Sequence, residues 1–276
     1  MKNFKNKIVV ITGAGSGIGR ALAMAFAKLG ARLALNDFQQ EGLDETLALL
    51  EKQSSPEVLT SVFDVADRSS MEAFAEKVKS EWGNAHIIIN NAGMAGGNHP
   101  AYLTSEELYR RVMEVNFFGV LNGCQIFLPQ LVENQEGAVV NISSIFGLMG
   151  TANNSAYCAS KFAVRGYTET LVAEFQKSPI SIHCVHPGGI KTNIASSVDD
   201  AEKFDGKFLT TLPEDLAQAI IKGIRKDKPR IIYGNYAGQT WFGTRFIPQK
   251  VLNAIMWKRL GETVNLEDYR SFIKDL

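Results

Sequence analysis

Short runs of aliphatic and β-branched residues alternate with longer amphipathic stretches from the N-terminus to about residue 233. The short runs predict strands at 7–12, 31–36, 58–63, 86–90, 137–142, 180–185 and 229–233. Between them, apolar positions at helical spacing predict helices near 17–29, 40–53, 68–81, 104–132, 155–177 and 213–226. Strand and helix in strict alternation imply an α/β fold: a doubly wound parallel sheet of about seven strands, helices on both faces, ligands at the carboxyl ends of the strands. No linker, repeat or low-complexity block interrupts the pattern, so residues 1–276 are read as one domain. Two segments depart from it. Residues 190–212 are polar and weakly periodic after a strand exit, which predicts a mobile loop over the ligand. A C-terminal helical extension is expected over about 241–276. After Pro248 its residues Val251, Leu252, Ile255, Met256 and Leu260 form an apolar helical stripe among Arg245, Lys250, Lys258 and Arg259, with no acid between Trp241 and Leu260.

Composition narrows the class. The chain has 276 residues, 45% of them hydrophobic, enough for a full core. Its 29 basic and 29 acidic residues cancel, so no global charge argues for nucleic acid or an anionic membrane, and the expected partners are small molecules. The basic, apolar C-terminal stripe leaves contact with a membrane surface open beside packing on its own domain, on the substrate site or in a dimer. Cys124, Cys158 and Cys184 form neither a C-x-x-C pair nor an even framework, which points to reduced packing thiols and a cytoplasmic setting. Met1–Lys7 carries three lysines without an apolar run behind them, so no secretory signal is expected. The longest uncharged stretch, 137–160, is rich in Asn, Ser and Gly and is no membrane span.

The chemistry gathers around a tyrosine and a lysine four apart, Tyr157 and Lys161. On one helix face, the ammonium can draw the phenol pKa down from about 10 toward neutrality, as proton transfer requires. Alone, such a pair is as readily a half-buried ring beside a solvated amine. Ser144 closes an apolar strand thirteen positions earlier, and strand alternation turns it away from the face of Ser143. A second cluster follows the first strand: Gly13, Gly15, Ser16, Gly17, Ile18 and Gly19, in the spacing G-x-x-x-G-x-G, opening a helix. Backbone amides at such a turn can approach a pyrophosphate. Asp37 ends the second strand, where a carboxylate accepts both hydroxyls of an adenosine ribose and repels a 2′-phosphate, favouring NAD over NADP. A plain turn residue there is the simpler alternative. Asp64 and Val65 follow the third strand; either an adenine contact or helix capping by Asp64 or Asp67 suits them. His183 and His186 lie three apart in a strand, on opposite faces, and cannot share a metal; none is expected.

Taken together, Thr12-Gly13 to Gly19, Asp64, Asn90-Asn91-Ala92-Gly93, Asn116, Ser144, Tyr157 with Lys161, and Pro187-Gly188 followed by Thr192 resemble the short-chain dehydrogenase/reductase family over roughly residues 4–235. The resemblance implies a Rossmann-type fold and hydride exchange between NAD(H) and the carbinol or carbonyl carbon of a partly apolar secondary alcohol or ketone. Tyr157 would be the acid/base, Ser144 would hydrogen-bond the reacting oxygen, and Lys161 would favour the phenolate and hold the nicotinamide ribose. Asn116 would position a water that relays protons through the lysine. Asn91, Ala92 and Gly93 would line the ribose, Asn90 would hold the central strands, and Pro187, Gly188, Ile190 and Thr192 would pass the nicotinamide. A homodimer or homotetramer through the helices near 104–132 and 155–177 is also implied. NADP-dependent carbonyl reduction and a dinucleotide-binding sensor without turnover are the alternatives. Substrate identity, physiological direction and oligomer size stay open.

Overall fold

The computed structural model describes residues 1–53, 55–192, 194, 208–260 and 266–269. Seven strands, all parallel, form one sheet: β1 (Ile8–Thr12), β2 (Arg32–Asp37), β3 (Val58–Val62), β4 (Ile87–Asn90), β5 (Gly137–Ile142), β6 (Ile180–Pro187) and β7 (Arg230–Tyr233). Their order is β3-β2-β1-β4-β5-β6-β7. Every residue of β1 and β5 is buried, as apolar runs covered on both faces must be. The winding reverses between β1 and β4. Connections leaving those two strands therefore part to opposite faces and open a crevice at their carboxyl ends.

Helices α1 (Gly17–Ala27), α2 (Gln40–Gln53) and α7 (Pro213–Arg225) pack on one face. Leu22 and Phe26, Leu43 and Leu50, and Ile220 and Ile224 are their fully buried contributions to one core. The opposite face carries α3 (Arg68–Trp82), α5 (Gly119–Asn134) and α6 (Ser155–Glu174), with Phe74, Phe127 and Val164 in a second core. Two cores on one sheet hold the strand ends rigid, which is what a site assembled from loops needs. The helix expected at 104–132 is interrupted. It runs as α4 (Glu106–Met113), a π-helical turn (Glu114–Phe118) and α5, and the irregularity falls on Asn116 as that residue's poor helix propensity suggests. By length and composition the continuous stretch Glu106–Asn134 could cross a membrane, but 56% of its most apolar window is buried in the second core, which accounts for the apolarity.

Much of the loop expected at 190–212 falls on residues 193 and 195–207, outside the described residues. Its ends are anchored: Lys191 N–H donates to the Thr211 carbonyl at 2.8 Å and Thr211 N–H to that of Gly189 at 3.0 Å. The C-terminal extension forms two helices, α8 (Ala237–Phe246) and α9 (Gln249–Leu260), broken before Pro248. Its apolar stripe is not one buried face. Leu252 is buried beside Gly243, whereas Val251 and Ile255 are exposed.

Candidate active site

The glycine turn leaves β1 through Gly13 at φ +65° and enters α1 at Gly17, φ +49°, a region that only glycine occupies without strain. Space is equally restrictive. A Cβ on Gly13 would lie 2.8 Å from Ala92 Cα, and one on Gly19 would lie 2.0 Å from the Gly13 carbonyl oxygen. Ser16 caps α1 without a side-chain hydrogen bond, so the first helical amides face the crevice rather than a hydroxyl of their own chain. Across the turn, Asp37 is buried; its Oδ2 accepts Gly15 N–H at 2.8 Å and its Oδ1 accepts Gln39 N–H at 3.1 Å. Each carboxylate oxygen keeps further acceptor capacity toward the crevice.

The exits of β1 and β4 are tied together by the hydroxyl of Thr12, a motif residue to which the sequence gave no role. Thr12 Oγ1 accepts the N–H groups of Asn91 and Ala92 at 3.0 and 3.1 Å, while Asn91 Nδ2 donates to the carbonyls of Thr12 and Gly13. Asn91 thus braces the turn as well as lining the crevice. Asn90 holds the central strands as expected: its Nδ2 donates to Asn141 Oδ1 at 2.8 Å, and Asn141 Nδ2 reaches Thr168. Beyond β3, Asp67 is the cap of α3, accepting from Ser69 and Ser70, whose hydroxyls foremost pull its pKa to about 2. Asp64 accepts Ala66 N–H at 3.0 Å and pairs with Arg111, a cation of α4 that sequence spacing could not have brought there.

At the other end of the crevice stands the Ser144, Tyr157 and Lys161 cluster. Ser144 Oγ accepts Phe146 N–H at 3.1 Å, and its hydroxyl is near enough to the Tyr157 phenol to work against burial in lowering that group's pKa. Ser143, on the opposite face, donates to the Lys161 carbonyl at 2.9 Å and serves the scaffold. His186 Nδ1 donates to the Ser144 carbonyl at 2.9 Å, and burial lowers that ring's pKa to about 4, so it is a neutral brace. His183 is engaged with Lys228 and Ser181; no cluster of metal-binding side chains occurs among the described residues. Tyr157 and Lys161 sit one turn apart in the first half of α6. Lys161, only 3% exposed, donates from Nζ to the Ile142 carbonyl at 3.0 Å and lies 5.6 Å from the Tyr157 ring centre.

That geometry corrects one expectation. The ammonium was expected to draw the phenol downward, but in this structure burial dominates both groups, pushing Tyr157 up to about 12 and Lys161 down to about 8. Asn116 stands behind the cluster. Its Oδ1 accepts Met94 N–H at 2.8 Å, and its Nδ2 donates to the Met94 carbonyl and to Ser160 Oγ, both at 3.0 Å. Gly93 leaves room between them, since a Cβ there would meet Asn116 Oδ1 at 3.2 Å and Lys161 Nζ at 3.4 Å.

One cavity of about 970 Å³ joins the two ends, from Asp37 and Asp64 to Ser144, Tyr157 and Lys161. Pro187, Gly188, Ile190 and Thr192 line it between, as do Ser16, Gly17, Ile18, Val65, Ala92 and Gly93. Of the residues that carry the family resemblance, Thr12, Gly19, Asn90 and Asn116 stand behind its wall. The model of the short chain dehydrogenase family matches residues 7–203. The chain belongs to that family. It is an oxidoreductase of the short-chain dehydrogenase/reductase kind. A Mycobacterium tuberculosis protein named as an oxidoreductase, SadH, is 40% identical over 245 residues, 85% of this chain and 88% of its own. Cyclohexanol dehydrogenase of Acinetobacter is 35% identical over 223 residues, 79% of this chain and 87% of its own. Among solved structures, a short chain dehydrogenase/reductase from Burkholderia phymatum in complex with NAD superposes with a TM-score of 0.78 at 28% identity, covering 84% of this chain and 90% of that one.

In this short-chain dehydrogenase the cavity suits a dinucleotide on its own geometry. The cradle is narrow enough that a Cβ on Gly17 would lie 3.0 Å from Thr192 Cγ2, so the turn and the segment after β6 close on a slender ligand from two sides. The family motifs leave the substrate end unmarked. There the wall is made by Met94, Phe146, Phe208, Tyr236, Thr240 and Met256. Thr240 comes from α8 and Met256 from α9, and of the six only Met256 belongs to the apolar stripe that the sequence marked.

Proposed function

We propose that this chain passes a hydride between NAD(H) and the carbinol or carbonyl carbon of a partly apolar secondary alcohol or ketone. The observation that carries the reading is the single cavity with a ribose-accepting carboxylate at one end and the Ser144, Tyr157 and Lys161 cluster at the other. When bound there, the dinucleotide supplies the hydride acceptor or donor. The remaining chemistry is the protein's own. In oxidation, Tyr157 takes the hydroxyl proton of the substrate through its phenol oxygen, while Ser144 Oγ donates a hydrogen bond to the same oxygen. In reduction, the phenol gives its proton to the carbonyl oxygen. Lys161 carries the compensating charge, and its two remaining N–H donors are available to ribose hydroxyls. Asn116, by bracing Met94 and Ser160, belongs to the same unit as the anchor of a proton relay behind the lysine.

Preference for NAD rests on Asp37. Its carboxylate would repel a 2′-phosphate, and Arg20, which lines the same cavity, is committed to the Gly15 carbonyl and to Glu45. The alcohol acted on by the Acinetobacter relative is itself a neutral secondary alcohol. Self-association through the helices that follow Asn116 belongs to the same reading, since Phe118, Val132 and Phe162 are exposed there; a single-chain mass by light scattering would count against it. A panel of secondary alcohols and ketones, assayed by reduced-nicotinamide absorbance with NAD and NADP in parallel, tests turnover, direction and cofactor choice. Absence of turnover across the panel, or a preference for NADP, would overturn the corresponding part.

A further inference from the structure

A second cavity, of about 480 Å³, lies beside the first. The two share Ala152 and Met256 in their walls, so these side chains are the partition between them. One wall of the second cavity is a single face of α9: Gln249, Asn253, Met256 and Trp257, at the i, i+4, i+7, i+8 spacing of neighbours on a helix. The facing wall is formed by Gly150 and Thr151, with Ser155 and Cys158 from the first turn of α6, the helix that carries Tyr157. The second space therefore begins one residue from the phenol and leads away from it under the C-terminal helix.

The wall formed by α9 is fixed in place. Trp257 packs edge-on against Tyr269 with ring centres 5.3 Å apart, Tyr269 hydrogen-bonds to Asn153 beside Ala152, and Tyr102 donates to the Asp268 carbonyl at 2.7 Å. Residues 268 and 269, held by the 102 and 153 segments, back the wall through the packing of Tyr269 on Trp257. The cavity's chemistry is uniform: hydroxyls, side-chain amides, a thiol and the apolar surfaces of Ala152, Met256 and Trp257, with no charged side chain in the lining. Such a surface suits a neutral, extended and mainly apolar group, and would leave a carboxylate or phosphate without a counter-charge.

We infer that this second cavity is the distal subsite of the substrate site and that Met256 sets how far along it a substrate reaches. The inference rests on the proposed alcohol and ketone chemistry for the assignment of the near end, and it specifies the substrate as an elongated neutral secondary alcohol or ketone whose tail runs past Met256 toward Trp257. Each methylene placed there should raise kcat/KM about fourfold.

The test uses the full chain with isopropanol, methyl propyl carbinol and methyl octyl carbinol, read in two ways: NAD reduction, and tryptophan emission as each alcohol is titrated. The expected result is kcat/KM rising with chain length, and an emission change with methyl octyl carbinol that Trp257→Phe abolishes. Met256→Trp, which narrows the partition, should lower kcat/KM for methyl octyl carbinol at least about tenfold more than for isopropanol, and Met256→Ala should extend the gain to longer or branched tails. Turnover without chain-length dependence and without a Trp257 response would overturn the subsite and leave the proposed reaction standing. A Trp257 response without turnover of any alcohol would support the subsite and overturn the proposed reaction. Equal loss on short and long alcohols in Met256→Trp would also overturn the role of Met256.

Discussion

The proton count of the Tyr157 and Lys161 pair is predicted to set the pH dependence of both reaction directions. Burial brings Lys161 from 10.5 to about 8 and lifts Tyr157 from 10.0 to about 12, so the pair releases its first proton near pH 8. The missing proton belongs to the pair and not to one atom. Oxidation needs a pair one proton short, because it must accept the substrate's; reduction needs a full pair. Oxidative kcat/KM should therefore rise with pH and level off above about 8, and reductive kcat/KM should fall above the same point. Lys161→Met removes the group that titrates there and leaves a phenol with a pKa of about 12. With no amine left to receive a proton passed through the phenol, the variant should oxidise alcohol at pH 8 at least about a hundredfold more slowly. Folding stability carries the same signature. The depressed lysine pKa corresponds to about 3 kcal/mol of desolvation penalty on the ammonium. Between about pH 8 and 10.5 the unfolded chain holds this proton and the folded chain does not, so rising pH favours the folded state; about 2 kcal/mol of that gain is reached by pH 10. Tyr157 acts in the opposite sense between about 10 and 12, but in both proteins alike. Urea denaturation at pH 8 and pH 10 should thus show wild type gaining about 2 kcal/mol on Lys161→Met. An unmoved kinetic inflection in the variant, or a stability difference that stays constant with pH, would refute the reasoning.

Two further substitutions probe the cofactor end. Asp37→Asn keeps the shape but loses the charge and one acceptor, so the ratio of kcat/KM with NAD to that with NADP should fall about ten- to a hundredfold; an unchanged ratio would remove Asp37 from cofactor choice. Gly19→Ala places a methyl 2.0 Å from the Gly13 carbonyl oxygen. It should weaken NAD binding by calorimetry more than tenfold and destabilise the fold by about 1–3 kcal/mol, whereas Gly238→Ala, with nothing within 4 Å of the added carbon, should do neither.

What the sequence made legible was whatever depends on local spacing. Strand boundaries, the glycine turn, the face of Ser144 against Ser143 and the helical irregularity at Asn116 all follow from periodicity or from one residue's backbone preference, whereas the holding role of Asn90 came with the family resemblance. What the sequence hid depends on distant contacts. The Thr12 hydroxyl gains its two N–H partners because β4 lies beside β1, and Arg111 meets Asp64 across 47 positions. The Tyr157 and Lys161 spacing announced proximity but not the depth of burial, and depth is what reverses the expected direction of the phenol's pKa. The stripe in the C-terminal extension announced a helix without its neighbours. Only the fold assigns Leu252 to Gly243, Met256 to the cavity, and Val251 and Ile255 to the surface.

The central claim is that the Tyr157 hydroxyl is the proton carrier for hydride exchange beside a bound dinucleotide. Tyr157→Phe removes that oxygen and keeps the ring that packs edge-on against Phe146. Steady-state turnover of a secondary alcohol, measured with NAD affinity on the same preparation, should show activity lost by at least about a thousandfold with NAD binding unchanged. Turnover retained within tenfold would contradict the account.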